Sequence, residues 1–193
     1  INCLAGIRPQ GVAEAEVEKT LVSNLKYAAD KLQAAGIKLV MEMINTRDIP
    51  GFYLNNTAQA LSIREQVGSA NLFLQYDIYH MQIMEGDLAR TMAAHLGEIN
   101  HIQLADNPGR HEPGTGEINF PFLFRHLETI GYAGWIEPED KGWIAFVDLD
   151  GRPQFFLNRD PVTGAVLSDD PARHEAEIAE IRAERSEEHT SEL

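Results

Sequence analysis

Residues 71–104 read NLFLQYDIYHMQIMEGDLARTMAAHLGEINHIQL, and they contain one complete strand–helix–strand unit. The apolar runs at residues 71–76 and 99–104 each predict a strand. Between them a helix is predicted near residues 87–96, and Gly97 ends it. Apolar residues recur at every fourth position of this helix: Leu88, Met92 and Leu96. Two strands joined through a helix are typical of a parallel sheet.

The same alternation continues on both sides of this unit. Further strands are predicted at three places: residues 2–5, residues 37–41 and from residue 135 onward. Further helices, each amphipathic and each ended by a glycine, are predicted at three places: near residues 17–32, 57–67 and 120–130. A repeat of about 30 residues is that of a (β/α)₈ barrel. We therefore expect an α/β fold, a partial (β/α)₈ TIM barrel with about five of the eight βα units.

The repeat stops after Lys141, and the chain changes character. Two apolar runs flank Asp150-Gly151, which predicts a hairpin, and a charged helix is predicted from Asp170 to about residue 184. The closing RSEEHTSEL looks like a translated sequencing-adapter oligonucleotide. We expect three parts: residues 1–141 as the C-terminal part of a barrel, residues 142–184 as a non-family extension, and residues 185–193 as an adapter-derived or disordered tail. Since the chain opens inside a strand, we also expect an N-terminally truncated fragment.

Charge and composition exclude several classes of protein. The chain carries 16 basic and 30 acidic residues, a formal net charge of −14, which argues against a nucleic-acid binder. No apolar run has the roughly 18 to 20 residues that a membrane helix needs. The one cysteine, Cys3, rules out an intramolecular disulfide and fits a reducing compartment, so we expect a cytoplasmic protein.

Polar side chains collect where the predicted strands end. Glu42, Asp77 and Glu139 each follow a strand, Gln103 lies inside one, and His80 comes three residues after Asp77. In parallel α/β folds the site lies at the carboxyl ends of the strands. Oxygen ligands of this kind suit a hard divalent cation such as Mg²⁺ or Mn²⁺. Two separate glutamates could also act as an acid and a base across a bound substrate.

Five stretches within the first 136 residues carry a family resemblance. They are residues 1–6 (INCLAG), 76–80 (YDIYH), 101–105 (HIQLA), 109–119 (GRHEPGTGEIN) and 131–136 (GYAGWI). Together they resemble the C-terminal five-eighths of the hydroxypyruvate isomerase family, in the xylose-isomerase-like TIM-barrel superfamily. The stretch at 109–119 is the most specific of the five. The family interconverts hydroxypyruvate and tartronate semialdehyde.

The resemblance implies a role for each polar residue at the strand ends. It implies that Glu42 and Glu139 are the two catalytic glutamates, one removing a proton and the other delivering it. The implied metal ligands are Glu42, Asp77, Gln103 and Glu139. His80 and Arg110 fall near a small anionic hydroxy- or keto-acid substrate, and the planar fork of Arg110 suits its carboxylate. The metal would stabilise an enediolate between substrate and product.

Three alternatives remain open. The first is a 2-oxo-tetronate isomerase or a sugar epimerase on the same barrel. The second is a metal-dependent nuclease of the same superfamily, which the scarcity of histidine ligands and the acidic charge disfavour. The third is an inactive barrel fragment. Five strands leave two open sheet edges, where a second copy of the chain can associate into a homo-oligomer.

Overall fold

The computed structural model describes residues 1–111 and 113–138, together with two strands at 143–147 and 153–157. The elements alternate along the chain in the order α1 (Glu14–Ala34), β1 (Leu39–Glu42), α2 (Thr57–Val67), β2 (Leu72–Asp77), α3 (Ile78–Met84), α4 (Leu88–Ala94), β3 (Ile99–Leu104), α5 (Phe120–Ile130), β4 (Trp135–Pro138), β5 (Trp143–Val147) and β6 (Pro153–Leu157).

The first four strands form one parallel sheet in chain order, β1-β2-β3-β4. Sequential parallel strands joined by helices are the repeating unit of a TIM barrel, so the predicted α/β class and parallel sheet are confirmed. One side of the sheet packs under the helices. The side chains on that side are fully buried: Leu39, Met41, Leu72, Leu74 and Tyr76.

The strand predicted at residues 2–5 is wrong in length. Only Asn2 makes a parallel bridge, to Val40, with hydrogen bonds from the Val40 N–H to the Ile1 carbonyl and from the Cys3 N–H to the Val40 carbonyl. Beyond this point the segment leaves β1, since Ile7 pairs instead with Phe52 in the loop after β1. The expected fifth strand is therefore represented only by the bridge between Asn2 and Val40, at the edge of the sheet beside β1.

The four predicted helices are confirmed, and the ends of α2 and α5 follow the expected capping chemistry. The Asn56 side chain accepts from the Gln59 N–H at the start of α2, and Gly68 ends that helix in the left-handed conformation with a φ of 65°. The Asn119 side chain caps α5 in the same way. Helix α3 was not predicted, because it follows β2 directly and its sequence, IYHMQIM, is mostly apolar and shows no amphipathic period.

Beyond β4, two strands of the predicted hairpin are present. β5 and β6 pair in a two-stranded sheet. The turn between them, the helix expected from Asp170 and the tail at residues 185–193 lie outside the described residues, so the division of the chain at residue 141 stays a prediction. Within the part of the chain that the structure describes, no helix has the length and apolar character required to cross a membrane.

The loop between β3 and α5 is built around one buried carboxylate. The side chain of Asp106 is 1% exposed and accepts four backbone hydrogen bonds, from the N–H groups of Asn107, Gly114, Gly116 and Ile118 at 2.8–3.0 Å. Residue 116 must be glycine, since a Cβ there would lie 2.7 Å from the Asp106 carboxylate and closer still to the Asn107 carbonyl. Gly114 and Gly116 of the specific motif at residues 109–119 therefore let backbone N–H groups approach and surround the Asp106 carboxylate.

This arrangement predicts that Asp106→Asn destabilises the chain. An amide offers one acceptor oxygen to four N–H donors, and its NH₂ group faces other donors. We expect the free energy of unfolding to fall by about 1–3 kcal/mol, measured by urea denaturation. Asp30→Asn, on the exposed face of α1, removes the same charge and serves as the control. Equal stability of the two variants would contradict the structural role of Asp106.

Candidate active site

The register of the sheet brings the predicted strand-end residues onto one face. Glu42 pairs with Gln75, and Asp77 pairs with Gln103. Residues paired across parallel strands, and residues two apart on one strand, point to the same side of a sheet. Glu42, Asp77 and Gln103 therefore share the face opposite the helices. The Gln103 side-chain oxygen accepts a hydrogen bond from the Gln75 amide.

Glu42, Asp77 and His80 form a buried cluster at the carboxyl ends of β1 and β2. One ligand atom from each lies within 4.8 Å of the others, and their exposed fractions are 6%, 0% and 1%. The His80 Nε2 atom lies 4.0 Å from Glu42 Oε1 and 3.8 Å from Asp77 Oδ2. Two carboxylates this close repel each other strongly when buried, and a cation between them relieves that repulsion.

Asp77 also determines how the chain continues after β2. Its Oδ1 atom accepts the backbone N–H of His80 at 3.0 Å and caps α3. This bond fixes His80 in the first turn of the helix, over the end of the sheet. One carboxylate oxygen therefore begins the helix, and the other faces the cluster.

Asn2 contacts the first glutamate from the neighbouring edge of the sheet. Its side-chain amide donates to Glu42 Oε2 at 2.6 Å, while Oε1 of the same carboxylate faces His80. The bridge between Asn2 and Val40 holds the donor beside β1. A neutral donor on one oxygen orients the other toward a metal without adding charge.

The turn after β1 holds a second group of polar residues. Asn45 is fully buried, and its side-chain Nδ2 lies 2.7 Å from His80 Nδ1 and 3.1 Å from Asp48 Oδ2. The Tyr79 hydroxyl also donates to Asp48 Oδ2, at 2.8 Å. The Asn45 hydrogen bond, reinforced by Tyr79 and the Arg110 charge, holds the pKa of Asp48 below its usual range. Asp48 is therefore an anion at neutral pH.

Arg110 reaches this group from the loop after β3. Its Nη1 atom lies 3.8 Å from Asp48 Oδ2 and its Nη2 atom 3.3 Å from His80 Nε2, and the guanidinium sits 5.1 Å from the centre of the Tyr79 ring. The backbone of Arg110 is left-handed, with a φ of 56°, and its N–H donates to the Asp106 carbonyl. The side chain is 37% exposed, so it extends from the buried cluster to the solvent.

The second predicted glutamate, Glu139, lies outside the described residues. Glu137 pairs with Gln103 across β3 and β4, and its carboxylate lies 3.4 Å from His101 Nε2. Burial lowers the pKa of His101, and the charge of Glu137 opposes that shift. Of the six predicted site residues, the structure brings together Glu42, Asp77, His80 and Arg110, and it sets Gln103 beside Asp77.

Four residues that contact this cluster or Arg110 had no predicted role. They are Asn2, Asn45, Asp48 and Tyr79. Asn2 belongs to the INCLAG stretch, which carried the resemblance without an assigned function. Asn45 and Asp48 lie within six residues of Glu42, but Asn and Asp are common in any turn, so their identity gave no signal specific to a site.

The donor set fits a hard divalent cation. Buried carboxylate oxygens from Glu42 and Asp77 face a common point, and the amide oxygen of Gln103 belongs to the residue in register with Asp77. Oxygen ligands of this kind are those that Mg²⁺ and Mn²⁺ prefer. The same cluster lies beside the cationic Arg110, which suits an anionic group next to the metal.

Comparison with known proteins supports this description of the fold. Residues 1–148 match the family described as xylose isomerase-like TIM barrel. The chain is 52% identical over 141 residues to hydroxypyruvate isomerase of Escherichia coli K12, covering 73% of this chain and 55% of the relative. It is 44% identical over 136 residues to 2-oxo-tetronate isomerase of Cupriavidus necator, covering 70% and 52%.

A solved structure agrees with these sequence matches. The structure titled AP endonuclease, family 2 from Brucella melitensis superposes with a TM-score of 0.69 at 40% identity, covering 72% of this chain and 53% of that one. The chain spans about half the length of the curated relatives it matches. The match over residues 1–148 includes all four strands of the parallel sheet and the clustered polar residues. The chain belongs to the xylose isomerase-like TIM barrel family.

Proposed function

We propose that this sequence belongs to a metal-assisted isomerase that interconverts hydroxypyruvate and tartronate semialdehyde. The observation that carries the proposal is the convergence of Glu42, Asp77, His80 and Arg110 at the carboxyl ends of β1–β3. The relatives named hydroxypyruvate isomerase and 2-oxo-tetronate isomerase support the reaction class. Because the chain spans only about half the length of these relatives, the activity of the whole protein is a proposal.

The reaction requires that one proton is removed from a carbon atom of the substrate and that another proton is added to the adjacent carbon atom. In hydroxypyruvate a proton leaves C3, and the electrons of that C–H bond form the C2–C3 double bond of an enediol as the C2 ketone oxygen takes up a proton. A proton is then added at C2, and the C3 hydroxyl loses its proton as it becomes the aldehyde. Glu42 is buried at the sheet end and is held by Asn2, which suits it as the group that removes or delivers a carbon-bound proton. We assign the complementary step to Glu139.

Charge development on the substrate oxygens needs electrostatic stabilisation. A divalent cation held by Glu42, Asp77, Gln103 and Glu139 would supply it when bound. His80 in the cluster and Arg110 beside it present nitrogen atoms 3.3 Å apart, where they can orient the substrate carboxylate or a neighbouring oxygen. Asp48 and Tyr79 hold the guanidinium in place.

A second candidate is the isomerisation of 2-oxo-tetronate, a larger hydroxy-keto acid. The relative of that name at 44% identity favours it. Both substrates share the carboxylate, the ketone and the adjacent hydroxyl that the described residues would contact. Comparing kcat/KM for the two compounds distinguishes the candidates, and hydroxypyruvate is expected to be the better substrate.

The role of Glu42 predicts the effect of Glu42→Gln. Glutamine keeps the shape but cannot accept a carbon-bound proton, so kcat for hydroxypyruvate is expected to fall by about 10²- to 10⁴-fold. The measurement is steady-state turnover by the complete protein. Glu65→Gln, on the exposed surface of α2, is the matched control and should keep its activity. Turnover by Glu42→Gln equal to that of the control would remove Glu42 from the mechanism.

The metal assignment predicts the effect of Asp77→Asn. Loss of one buried carboxylate weakens the attraction for a dication, so the affinity for Mn²⁺ is expected to fall by at least about tenfold. Isothermal titration calorimetry of the 193-residue chain with MnCl₂ measures this directly. Asp30→Asn is the charge-matched control. An unchanged Mn²⁺ affinity in Asp77→Asn would show that this residue is not a ligand.

The assignment of Arg110 to the substrate carboxylate predicts the effect of Arg110→Lys. Lysine keeps the charge but loses the planar pair of donors. Losing one charge-assisted hydrogen bond, about 1.5 kcal/mol, raises KM for hydroxypyruvate about tenfold. Arg125→Lys on the exposed face of α5 is the control. A KM equal to that of Arg125→Lys would place the carboxylate elsewhere.

A further inference from the structure

The turn that carries Arg110 is closed by the backbone of Asp106. The Asp106 N–H donates to the His111 carbonyl at 2.7 Å, and the Asp106 carbonyl accepts the Arg110 N–H at 2.8 Å. Arg110 lies between these two bonds in the left-handed conformation, with a φ of 56°. A residue other than glycine keeps such a backbone only where the surrounding structure holds it there. The conformation of Arg110 is therefore fixed against Asp106.

The side chain of Asp106 holds the returning half of the same loop. Its Oδ2 atom accepts the N–H groups of Gly114 and Gly116, at 2.8 and 2.9 Å. Its Oδ1 atom accepts those of Asn107 and Ile118, at 2.9 and 3.0 Å. A buried carboxylate that accepts several N–H groups has one fixed orientation. Both halves of the loop therefore depend on one residue, the first half on its backbone and the second half on its side chain.

The Arg110 side chain leaves this loop toward the candidate site. Its Nη1 atom lies 3.8 Å from Asp48 Oδ2, and the guanidinium lies 5.1 Å from the centre of the Tyr79 ring. An arginine that is already ordered loses less conformational entropy when it binds a carboxylate. We infer that Asp106 is a positioning residue, which holds Arg110 where its guanidinium meets the substrate carboxylate. The second half of this statement rests on the proposed function.

Asp106 acts through the loop and not as a member of the metal cluster. Among the residues that the structure describes, the group that could hold a metal ion consists of Glu42, Asp77 and His80. Each carboxylate oxygen of Asp106 already accepts two backbone N–H groups, and the side chain is 1% exposed. An effect of Asp106 on substrate binding therefore passes through Arg110, which reaches the cluster from this loop.

The first test is amide hydrogen exchange in the 193-residue chain, followed by nuclear magnetic resonance. If Asp106 holds both halves of the loop, the N–H groups of Arg110, Gly114, Gly116 and Ile118 become accessible in one opening event. Their protection factors are then expected to agree within about tenfold. A larger difference between Arg110 and the other three would show that Arg110 moves independently of Asp106, and it would overturn the inference. This measurement requires neither a variant nor a substrate.

The second test is steady-state turnover of hydroxypyruvate by the complete protein carrying Asp106→Asn. KM is expected to rise by about threefold to tenfold while kcat stays within about twofold, because the variant weakens binding and leaves the proton-transfer groups in place. Loss of folded protein alone would lower the measured kcat and leave KM unchanged, so KM separates a positioning role from a merely structural one. Asp30→Asn is the control. An unchanged KM in folded Asp106→Asn would overturn the inference.

Gly116→Ala perturbs the same loop with the Asp106 carboxylate intact, because its Cβ would lie 2.7 Å from that carboxylate. It is expected to raise KM in the same way, and Gly97→Ala, where a Cβ meets no atom within 4 Å, is the control. In an Arg110→Ala background neither Asp106→Asn nor Gly116→Ala should raise KM further. A rise of the same size in that background would show that Asp106 acts by another route.

The two tests separate this inference from the proposed function. A protein with the expected exchange pattern that does not isomerise hydroxypyruvate would keep the hold of Asp106 on Arg110 and remove the isomerase proposal. An active protein whose KM is unchanged in the folded Asp106→Asn and Gly116→Ala variants would keep the proposed function and remove the positioning role of Asp106.

Discussion

The parallel register of β1, β2 and β3 is the constraint on which the site depends. It pairs Glu42 with Gln75 and Asp77 with Gln103, so the polar side chains share one face and meet at one edge. A slip of one residue would turn a whole strand to its other face and bury these groups among the apolar side chains under the helices. The alternation of Leu39 and Met41 with the polar positions opposes that slip, because both are fully buried.

Neutral amides and backbone N–H groups hold three carboxylates in place, of which Glu42 and Asp106 are buried and Asp48 is exposed. Asn2 contacts Glu42, Asn45 contacts Asp48, and four backbone N–H groups surround Asp106. These donors stabilise the anions without neutralising them, so the negative charge near Glu42 and Asp77 remains available to attract a cation. The net charge of the whole chain says little about this site, since −9 of the −14 falls in residues 137–193.

Strand and helix positions in the first 138 residues could be predicted because apolar periodicity and glycine stops coincide there. Glu42 and Asp77 could be predicted as site residues because each lies at a strand end, a place that topology alone identifies, whereas Arg110 lies in the loop after β3 and was identified only through the family resemblance. Helix α3 was not predicted, since it follows β2 directly and is mostly apolar, so it shows no amphipathic period. The shortness of the pairing at residues 1–3 was also not predicted. This pairing ends where Ile7 turns to contact Phe52, and a contact between segments so far apart in the chain leaves no local sequence signal.

The supporting residues could not be predicted, for a related reason. The roles of Asn2 and Asn45 arise from single hydrogen bonds to Glu42 and His80, groups on other segments. An asparagine in a turn is ordinary, and only the position of its partner makes it functional. The family resemblance includes the stretch that contains Asn2, but it does not indicate what the Asn2 side chain contacts.

The central claim is that one carboxylate removes a proton from C3 and a second carboxylate delivers another proton to C2. It is tested most directly by running the isomerisation of hydroxypyruvate in ²H₂O with the complete protein and following the label at C2 of tartronate semialdehyde, against a blank without protein. Transfer through exchangeable carboxylates predicts deuterium at C2 from the first turnover. Product that retains the original hydrogen, with no deuterium above the blank, would indicate direct hydride migration and would contradict the proposed roles of Glu42 and Glu139.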